Sequence, residues 1–241
     1  MPERFCFQAL DLATNGFREE SQLGKGASGR VYCGELPSSG IQVAVKKINA
    51  DSTQGEKEFM AEVSIISQAR HKNLIQVRGW CRDASKKQYL FVYELMSNGS
   101  LDKWLFIPAA EETAILSQRF NIVTGIAAAV EYLHHGCPRQ VIHRDIKSFN
   151  IMLDKDWNAK FGDLGLACLV DQEPAIDMTT MGGTFGYIAP EVAVSGRCTD
   201  KADIYAFGAV ILEIACGRKA LSASVPPEEM ILVNWVWRKF R

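Results

Sequence analysis

Three glycines near the start of the chain have a spacing that could hold phosphate groups. Gly24, Gly26 and Gly29 form the pattern G-x-G-x-x-G, and residues 31–33 after them are typical of a β-strand. Because glycines have no Cβ atom, such a loop can bring its backbone N–H groups close to phosphate oxygens. A dinucleotide-binding turn shares this spacing but leads into a helix, so the following strand favours a hairpin loop. A flexible hairpin without a ligand is the structural alternative.

Two charged residues could act on the same phosphates. Lys46 ends the apolar run 43–45, where a lysine is either a solvated strand end, the usual case, or a charge held near an anion. Glu62 lies in a segment where Phe59, Val63 and Ile66 have helical spacing. Its carboxylate could therefore pair with Lys46.

A polar cluster in the second half of the chain could carry a transfer reaction. The run 143–150 reads HRDIKSFN and stands between apolar runs, and Asp163-Leu164-Gly165 follows 18 residues after Asp145. The run 189–191, Ala-Pro-Glu, closes a segment rich in Thr and Gly. Each piece is common by itself, but their ordered combination with the glycine loop is very unlikely by chance.

The elements that must position these residues are strand-rich at first and helix-rich later. The first part has an apolar periodic segment at 5–17, a predicted hairpin of strands 29–36 and 42–48, a helix at 56–69, and strands at 74–81 and 88–94. After residues 97–99, helical spacing predicts a helix at 117–135, and the run 202–216, which is apolar nearly all round, predicts a buried helix. This order predicts an α+β protein with a hinge near residue 96.

Composition and charge limit the classes of protein to which the chain can belong. The 241 residues balance 27 Lys and Arg against 28 Asp and Glu, so no basic field indicates nucleic acid as a partner. The seven cysteines are odd in number and form no C-x-x-C pair, which fits a reducing compartment rather than a disulfide framework. The longest apolar stretch, 206–217, contains Glu213 and is too short to span a bilayer. We therefore expect a soluble cytosolic domain without membrane contact.

From about Leu23 to Gly217, the ordered motifs resemble the eukaryotic protein kinases. The finer resemblance is to plant receptor-like Ser/Thr kinases, the branch that also holds the animal Pelle and interleukin-receptor-associated kinases. Three segments are most similar to the legume-lectin-domain receptor kinases: 7–17, 78–82 and 98–102. The resemblance implies a bilobal α+β fold: a juxtamembrane-like lead segment at 1–19, a β-rich N-lobe with one long helix at 20–96, and a helical C-lobe at 97–241.

The resemblance implies that the chain transfers the γ-phosphate of Mg-ATP to Ser or Thr hydroxyls of proteins. It also implies a set of residues that bind ATP: Leu23, Gly24, Gly26, Gly29, Val31, Ala44, Lys46, Tyr93, Glu94, Met96 and Met152. The glycines would cover the phosphates, and Lys46, held by Glu62, would contact the α- and β-phosphates. Three residues would sandwich the adenine ring: Val31, Ala44 and Met152. Tyr93 would be the gatekeeper, and the first and third residues of the hinge 94–96 would make backbone hydrogen bonds.

The catalytic set implied by the resemblance is Asp145, Lys147, Lys46, Glu62, Asn150 and Asp163. Asp145 would orient the substrate hydroxyl and accept its proton. Lys147 would neutralise charge on the γ-phosphate, which indicates Ser/Thr rather than Tyr specificity. Asn150 and Asp163 would ligate Mg²⁺, a hard cation that prefers oxygen ligands, with Mn²⁺ as a second metal that the site would accept.

A regulatory set follows from the same resemblance: Arg144, Thr179, Thr180 and Thr184. Arg144 precedes the catalytic aspartate and would form a basic pocket for a phosphorylated activation loop, since a phosphate brings about two negative charges. Thr179 or Thr180 would be autophosphorylated. Thr184 would instead grip Asp145 and Lys147.

Two other polar residues have structural interpretations. His143 is expected to be a core histidine under Leu164 rather than a proton carrier. Asp203 starts the helix predicted at 202–216, and capping explains it, although in the resembled family this residue also braces the catalytic loop.

The end of the chain leaves two functional interpretations open. Residue Arg241 falls where the family's next helix begins, so we expect a C-lobe without its last helices and a buried Glu191 without its usual arginine. The first interpretation is an active kinase, with ATP, Ser/Thr protein substrates and a kinase–kinase dimer as partners. The second is a truncated kinase-like module that binds ATP or a partner kinase with weak or no transfer. Within a full-length receptor kinase, the chain would lie at the cytoplasmic face of the plasma membrane.

Overall fold

The computed structural model describes residues 2–26, 29–49, 53–83, 86–107, 117–170 and 184–240. The chain divides into two units, one formed by Met1–Arg70 with Ile75–Ser97 and the other by His71–Leu74 with Asn98–Arg241. The first is rich in strands and the second is rich in helices.

The first unit is built on one six-stranded sheet. Its described elements are β1 (Glu3–Arg4), α1 (Phe7–Ala13), β2 (Gln22–Gly26), β3 (Gly29–Glu35), β4 (Gln42–Ile48), α2 (Thr53–Ile66), β5 (Val77–Asp83) and β6 (Gln88–Glu94). The strand order is β1-β5-β6-β4-β3-β2, and only the β1–β5 pair is parallel. The predicted hairpin is confirmed, because β3 and β4 pair antiparallel from Gly29↔Ile48 to Glu35↔Gln42.

The core of this unit combines strand residues with a side chain from the N-terminal segment. Val43 and Val45 are fully buried on β4, as the alternation of side chains along a strand requires. Leu10 of α1 is also fully buried and packs in the same cluster, with Phe5 and Phe7 against it. Burying a side chain of this size contributes roughly 1.5–3 kcal/mol. Residues 3–13 therefore belong to the body of the first unit.

Two predicted boundaries differ from the structure. The helix expected at 56–69 is α2, which runs from Thr53 to Ile66. The strand expected at 74–81 starts only at Val77, because Leu74 makes a parallel bridge with Phe161 in the second unit. Leu74 is 4% exposed, so its apolar character reflects burial there rather than a place in β5.

The second unit contains short strand pairs and longer helices. Its described elements are α3 (Asp102–Leu105), α4 (Arg119–Glu131), β7 (Val141–Ile142), β8 (Ile151–Leu153), β9 (Ala159–Phe161), β10 (Cys168–Leu169), α5 (Pro190–Ser195), α6 (Asp200–Cys216) and α7 (Leu232–Lys239). Strands β7 and β10 pair antiparallel, as do β8 and β9. The helix predicted at 117–135 is α4, which continues as a π-helical turn at Tyr132–Gly136.

Helix α6 is the main buried helix of this unit. Thr199 caps its start by accepting a hydrogen bond from the Ala202 N–H at 3.3 Å, and Gly217 ends it in the left-handed conformation with φ of 62°. Ala209 and Val210 are almost completely buried, whereas Ile204 is 53% exposed, so one side of the helix faces solvent. Among the described segments, no helix is both long and apolar enough to cross a membrane.

Candidate active site

A buried ion pair links β4 to α2. The Nζ of Lys46 lies 3.5 Å from Oε2 of Glu62, and the two residues are only 6% and 1% exposed. The other oxygen of Glu62 accepts a hydrogen bond from the hydroxyl of Tyr93 on β6. The predicted contact between Lys46 and Glu62 is confirmed. The contact of Tyr93 with Glu62 was not visible in the sequence, because 31 residues separate them.

The glycine loop is the hairpin between β2 and β3. These strands pair antiparallel from Gln22↔Tyr32 to Gly26↔Gly29, so Gly24 and Gly26 lie in β2 and Gly29 opens β3. A Cβ atom added at Gly24 or Gly26 would meet nothing within 4 Å, which leaves space along the hairpin backbone. At Gly29 the same atom would lie 2.2 Å from the carbonyl oxygen of Lys47, so β4 requires glycine there. Open backbone of this kind fits a phosphate chain.

The residues predicted to contact adenine in this unit are half-buried or buried. Val31 lies opposite Lys46 in the sheet, and Ala44 lies opposite Tyr93. The backbone N–H of Glu94 donates to the Gln76 carbonyl at 3.0 Å, so a hydrogen bond from Glu94 to a nucleotide has to use its carbonyl oxygen. Two further residues predicted to contact ATP lie in the same unit. Leu23 lies on β2 and is 45% exposed, whereas Met96 follows β6 and is only 8% exposed.

The second unit holds a hydrogen-bonded cluster around Asp145. Its Oδ2 lies 2.6 Å from Nζ of Lys147 and accepts a hydrogen bond from the Asn150 amide at 2.8 Å. Its Oδ1 accepts a hydrogen bond from the Thr184 hydroxyl at 3.0 Å, and Lys147 also donates to Thr184 at 2.9 Å. The predicted contacts of Thr184 with Asp145 and Lys147 are confirmed. One carboxylate is thus oriented by three donors.

Asp203 of α6 holds the backbone that precedes Asp145. Its carboxylate accepts hydrogen bonds from the N–H groups of His143 at 2.7 Å and Arg144 at 2.9 Å, and it lies 2.9 Å from Nε2 of His134. Arg144 has a left-handed φ of 70°, a conformation that costs a non-glycine residue energy and needs support. Capping does not explain Asp203, because Thr199 caps α6. The structure shows instead that Asp203 braces the backbone at His143 and Arg144.

The oxygen atoms expected to hold a divalent cation are Oδ1 of Asn150 and the carboxylate of Asp163. Both amide hydrogens of Asn150 are used, by the backbone oxygen and the side chain of Asp145, each at 2.8 Å, so Oδ1 is the ligand atom that remains. Asp163 has a left-handed φ of 56°. In the described part of the chain no three His, Cys, Asp or Glu side chains form a metal cluster. This donor set fits Mg²⁺, which keeps waters and phosphates as its other ligands.

Sequence reasoning missed a second buried cluster, around Glu213 of α6. Glu213 is 1% exposed, accepts the Ala220 N–H at 2.8 Å, and has both carboxylate oxygens 2.9 Å from the Tyr187 hydroxyl. That hydroxyl also lies 3.2 Å from Oγ of Ser148, between Lys147 and Phe149. The signal in the sequence was the charge of Glu213 inside an otherwise apolar run.

The other predicted residues have mixed outcomes. His143 is fully buried, with its ring 5.0 Å from that of Phe161. Glu191 was expected to be buried, and this is wrong, because it is exposed at the start of α5.

Arg144 lies beside Cys168 of β10, where burial raises the pKa of the thiol and the guanidinium opposes part of that rise. Met152 lies on β8, and Thr179 and Thr180 lie outside the described residues.

The glycine hairpin, the Lys46–Glu62 pair and the Asp145 cluster are features of an α+β kinase fold. The sequence profile of the protein kinase domain matches residues 17–233, and the chain belongs to that family. This confirms the predicted fold class.

Curated plant proteins are similar to almost the whole chain. It is 47% identical over 235 residues to the putative L-type lectin-domain containing receptor kinase II.2 of Arabidopsis thaliana, covering 98% of this chain and 33% of that protein. It is 45% identical over 240 residues to the L-type lectin-domain containing receptor kinase SIT2 of Oryza sativa subsp. japonica, covering 100% of this chain and 35% of that protein. The predicted resemblance to plant lectin-domain receptor kinases is confirmed, and the chain spans about a third of the length of these relatives.

Proposed function

We propose that this chain is a protein serine/threonine kinase that transfers the γ-phosphate of Mg-ATP to hydroxyl groups of protein substrates. The observation that carries this proposal is the Asp145 cluster. A carboxylate that is 9% exposed and oriented by Lys147, Asn150 and Thr184 is suited to hold one substrate hydroxyl in a fixed direction. The catalytic work is positioning and charge stabilisation.

In the proposed reaction, the substrate hydroxyl oxygen forms a bond to the γ-phosphorus of ATP. The bond from that phosphorus to the bridging oxygen breaks, and ADP leaves with the electron pair. The hydroxyl proton passes to the carboxylate of Asp145. Lys147, whose Nζ is 2.6 Å from that carboxylate, neutralises charge on the phosphoryl oxygens. The resemblance to the family implies that a lysine two residues after the aspartate favours Ser/Thr over Tyr acceptors.

The nucleotide would be held through the glycine hairpin and Lys46. The open backbone at Gly24 and Gly26 supports phosphate binding, and Glu62 keeps the ammonium of Lys46 in one place. Asn150 and Asp163 would hold Mg²⁺, or Mn²⁺ in its place, and the ion when bound supplies positive charge at the phosphate oxygens. Three half-buried side chains would contact the adenine ring: Val31, Ala44 and Met152.

Regulation and cellular context form a second part of the proposal. We infer that Thr179 or Thr180 is autophosphorylated and that Arg144 pairs with the phosphate. Because the relatives are named as lectin-domain receptor kinases, the chain is proposed to act at the cytoplasmic face of the plasma membrane as part of a receptor. A second kinase chain would then be both partner and substrate. Phosphopeptide mapping of ATP-treated protein tests the proposed autophosphorylation, and unmodified Thr179 and Thr180 would contradict it.

The deciding experiment compares wild type with Asp145→Asn in a radiolabelled ATP assay on a Ser/Thr protein substrate. We expect the substitution to lower kcat by about 10²- to 10⁴-fold, the range for loss of a general base. Mg-ATP should still raise the melting temperature of both proteins, since nucleotide binding stabilises the folded state. The matched control is Asp156→Asn, which alters an exposed aspartate in a turn and should leave transfer unchanged. Equal transfer by wild type and Asp145→Asn would falsify the kinase assignment.

A further inference from the structure

The edge strand of the first unit lies against a tryptophan in the segment 78–82, to which the proposed reaction assigns no role. Strand β1 pairs parallel with β5, with Arg4 opposite Trp80, and the Phe5 N–H donates to the Trp80 carbonyl at 2.9 Å. The guanidinium carbon of Arg4 lies 5.5 Å from the centre of the indole ring. This distance is that of a cation–π contact, so Arg4 covers part of a half-buried ring.

The backbone of β5 accommodates this neighbour through a glycine. Gly79 lies opposite Glu3, and a Cβ atom there would lie 2.2 Å from the Glu3 carbonyl oxygen. A larger residue at this position would therefore push β1 away from β5. Glycine lets the two strands approach closely enough to place Arg4 on the ring of Trp80.

The same indole ring contacts the helix that carries Glu62. Its centre lies 6.2 Å from the centre of the Phe59 ring, and the ring planes meet at 73°, which is an edge-to-face arrangement. Phe59 is 1% exposed in α2 and lies three residues before Glu62, so both side chains are on one face of the helix. Less than one helical turn thus separates the residue that Trp80 contacts from the carboxylate that pairs with Lys46.

Among the rings that pack on Phe59, that of Trp80 is nearest the edge of the sheet. Phe59 also lies 5.4 Å from the ring of Tyr89 and 4.7 Å from that of Phe91, both on β6, which lies between β5 and β4. Tyr89 and Phe91 are buried, whereas Trp80 is half-buried and has only β1 on its outer side. The position of the indole ring therefore depends on β1.

A second contact between β5 and α2 is an exposed ion pair. Nη2 of Arg82 lies 2.8 Å from Oε1 of Glu56, and the two side chains are 41% and 45% exposed. An exposed pair of this kind contributes little, because water and salt screen its charges. Of the two contacts, the one between Trp80 and Phe59 therefore holds α2 more strongly.

We propose that Trp80 is a positioning residue for the ion pair of Lys46 and Glu62, and that Arg4 of β1 holds its indole ring against α2. With the ring in place, Phe59 fixes the turn of α2 that presents Glu62 to Lys46. Without it, that turn opens more often and the ammonium loses its fixed position. The inference rests on the proposed kinase function, in which Lys46 holds the phosphates of ATP.

Hydrogen exchange of α2 tests the positioning whether or not the chain transfers phosphate. Trp80→Leu should speed the local opening of the α2 amides by about 2- to 10-fold, the factor that corresponds to an aromatic pair. Trp80→Phe keeps a ring and should retain most of the wild-type protection. A purely structural role of Trp80 would leave α2 unchanged and speed only the slow exchange of the buried β4 amides, which requires global unfolding.

Nucleotide affinity is the second measurement. Trp80→Leu should raise the KM for Mg-ATP several-fold and leave kcat at saturating Mg-ATP unchanged, because ATP binds the molecules in which the ion pair is formed. Loss of folded protein would instead lower kcat and leave KM unchanged. An active Trp80→Leu variant with wild-type α2 exchange and KM would overturn the positioning role and keep the kinase function. Faster α2 exchange in this variant, with no transfer even by wild type, would refute the kinase function and keep the positioning role.

Variants of Arg4 test the contribution of β1 without altering the core, since this side chain is exposed. Arg4→Ala should speed α2 exchange and raise the KM about 2- to 5-fold, the factor for an exposed cation–π contact, and Arg4→Lys should retain the wild-type values. In the Trp80→Leu background, Arg4→Ala should have no further effect, because its partner ring is absent. The matched control is Arg18→Ala, which alters an exposed arginine after α1. Wild-type α2 exchange and KM in Arg4→Ala, or an equal effect in both backgrounds, would overturn the proposal.

Discussion

The hydroxyl of Tyr187 lies 2.9 Å from both carboxylate oxygens of Glu213. This contact joins the turn that follows Thr184 to the buried helix α6, and through Ser148 it reaches the segment that carries Asp145. Burial raises the pKa of the Tyr187 hydroxyl, and the nearby Glu213 carboxylate raises it further. The hydroxyl therefore stays protonated and remains a hydrogen-bond donor over the whole physiological pH range.

Tyr187→Phe should destabilise the protein by about 1–3 kcal/mol, because the buried carboxylate of Glu213 loses one of its donors. Urea denaturation measures the change in the free energy of unfolding. Tyr205→Phe is the matched control on α6, since the described residues provide no hydrogen bond for the Tyr205 hydroxyl in the structure. Equal destabilisation by the two substitutions would show that the Tyr187–Glu213 contact contributes nothing specific.

Glu213→Gln should change how stability depends on pH. Burial raises the pKa of Glu213 above its ordinary value of 4.5, and hydrogen bonds from Ala220 and Tyr187 offset only part of that rise. The folded state therefore binds this proton more tightly than the unfolded state, so the stabilising contribution is full below pH 4.5 and is lost as the pH rises through the folded pKa. Wild type should thus lose unfolding free energy relative to Glu213→Gln between pH 4.5 and neutral pH.

Denaturation curves of both proteins across that pH range test this expectation. Glu228→Gln is the control, because Glu228 is exposed in a turn before α7. A difference between wild type and Glu213→Gln that stays constant with pH would contradict the expected role of burial.

Lys46→Met should abolish phosphate transfer and also destabilise the protein by roughly 3–5 kcal/mol, since it leaves the Glu62 carboxylate buried without its cation. Adding Glu62→Gln should restore most of the stability without restoring activity, which separates folding from catalysis. The neighbouring Lys47→Met is the control, because that ammonium lies 4.8 Å from the Phe17 ring and away from Glu62. Transfer assays and melting temperatures measure both effects. Full activity of Lys46→Met would contradict the assignment of Lys46 to the nucleotide.

Gly79→Ala should detach β1 from β5. The new Cβ would lie 2.2 Å from the carbonyl oxygen of Glu3 and 2.4 Å from the Phe5 ring, so the N-terminal segment has to move. We expect a lower melting temperature and faster tryptic cleavage after Arg4. Gly208→Ala is the contrasting control, because its Cβ meets nothing within 4 Å inside α6 and should stabilise the helix by about 0.5–1 kcal/mol. Unchanged cleavage after Arg4 in Gly79→Ala would show that β1 does not depend on this close approach.

Much of the fold was predictable because its signals are local. The β3–β4 hairpin follows from two β-like runs joined by the turn-forming run Pro-Ser-Ser-Gly at 37–40. Helix α4 follows from helical spacing, and α6 follows from a run that is apolar nearly all round. The boundaries were less predictable, since Leu74 pairs with Phe161 rather than with β6. The apolar character of a residue predicts that it is buried, but it does not predict which element it packs against.

The sequence by itself determined that Asp145, Lys147 and Asn150 lie close together along the chain, and their side chains do meet in the structure, as the proposed chemistry requires. Only the tertiary structure decided that Asp203 braces the backbone of His143 instead of capping α6, and that Glu213 receives Tyr187. These partners are 60 and 26 residues apart, and their meeting depends on the path of the chain between them. Hydrogen bonds act over about 3 Å, so a long-range partner is set by packing and not by spacing.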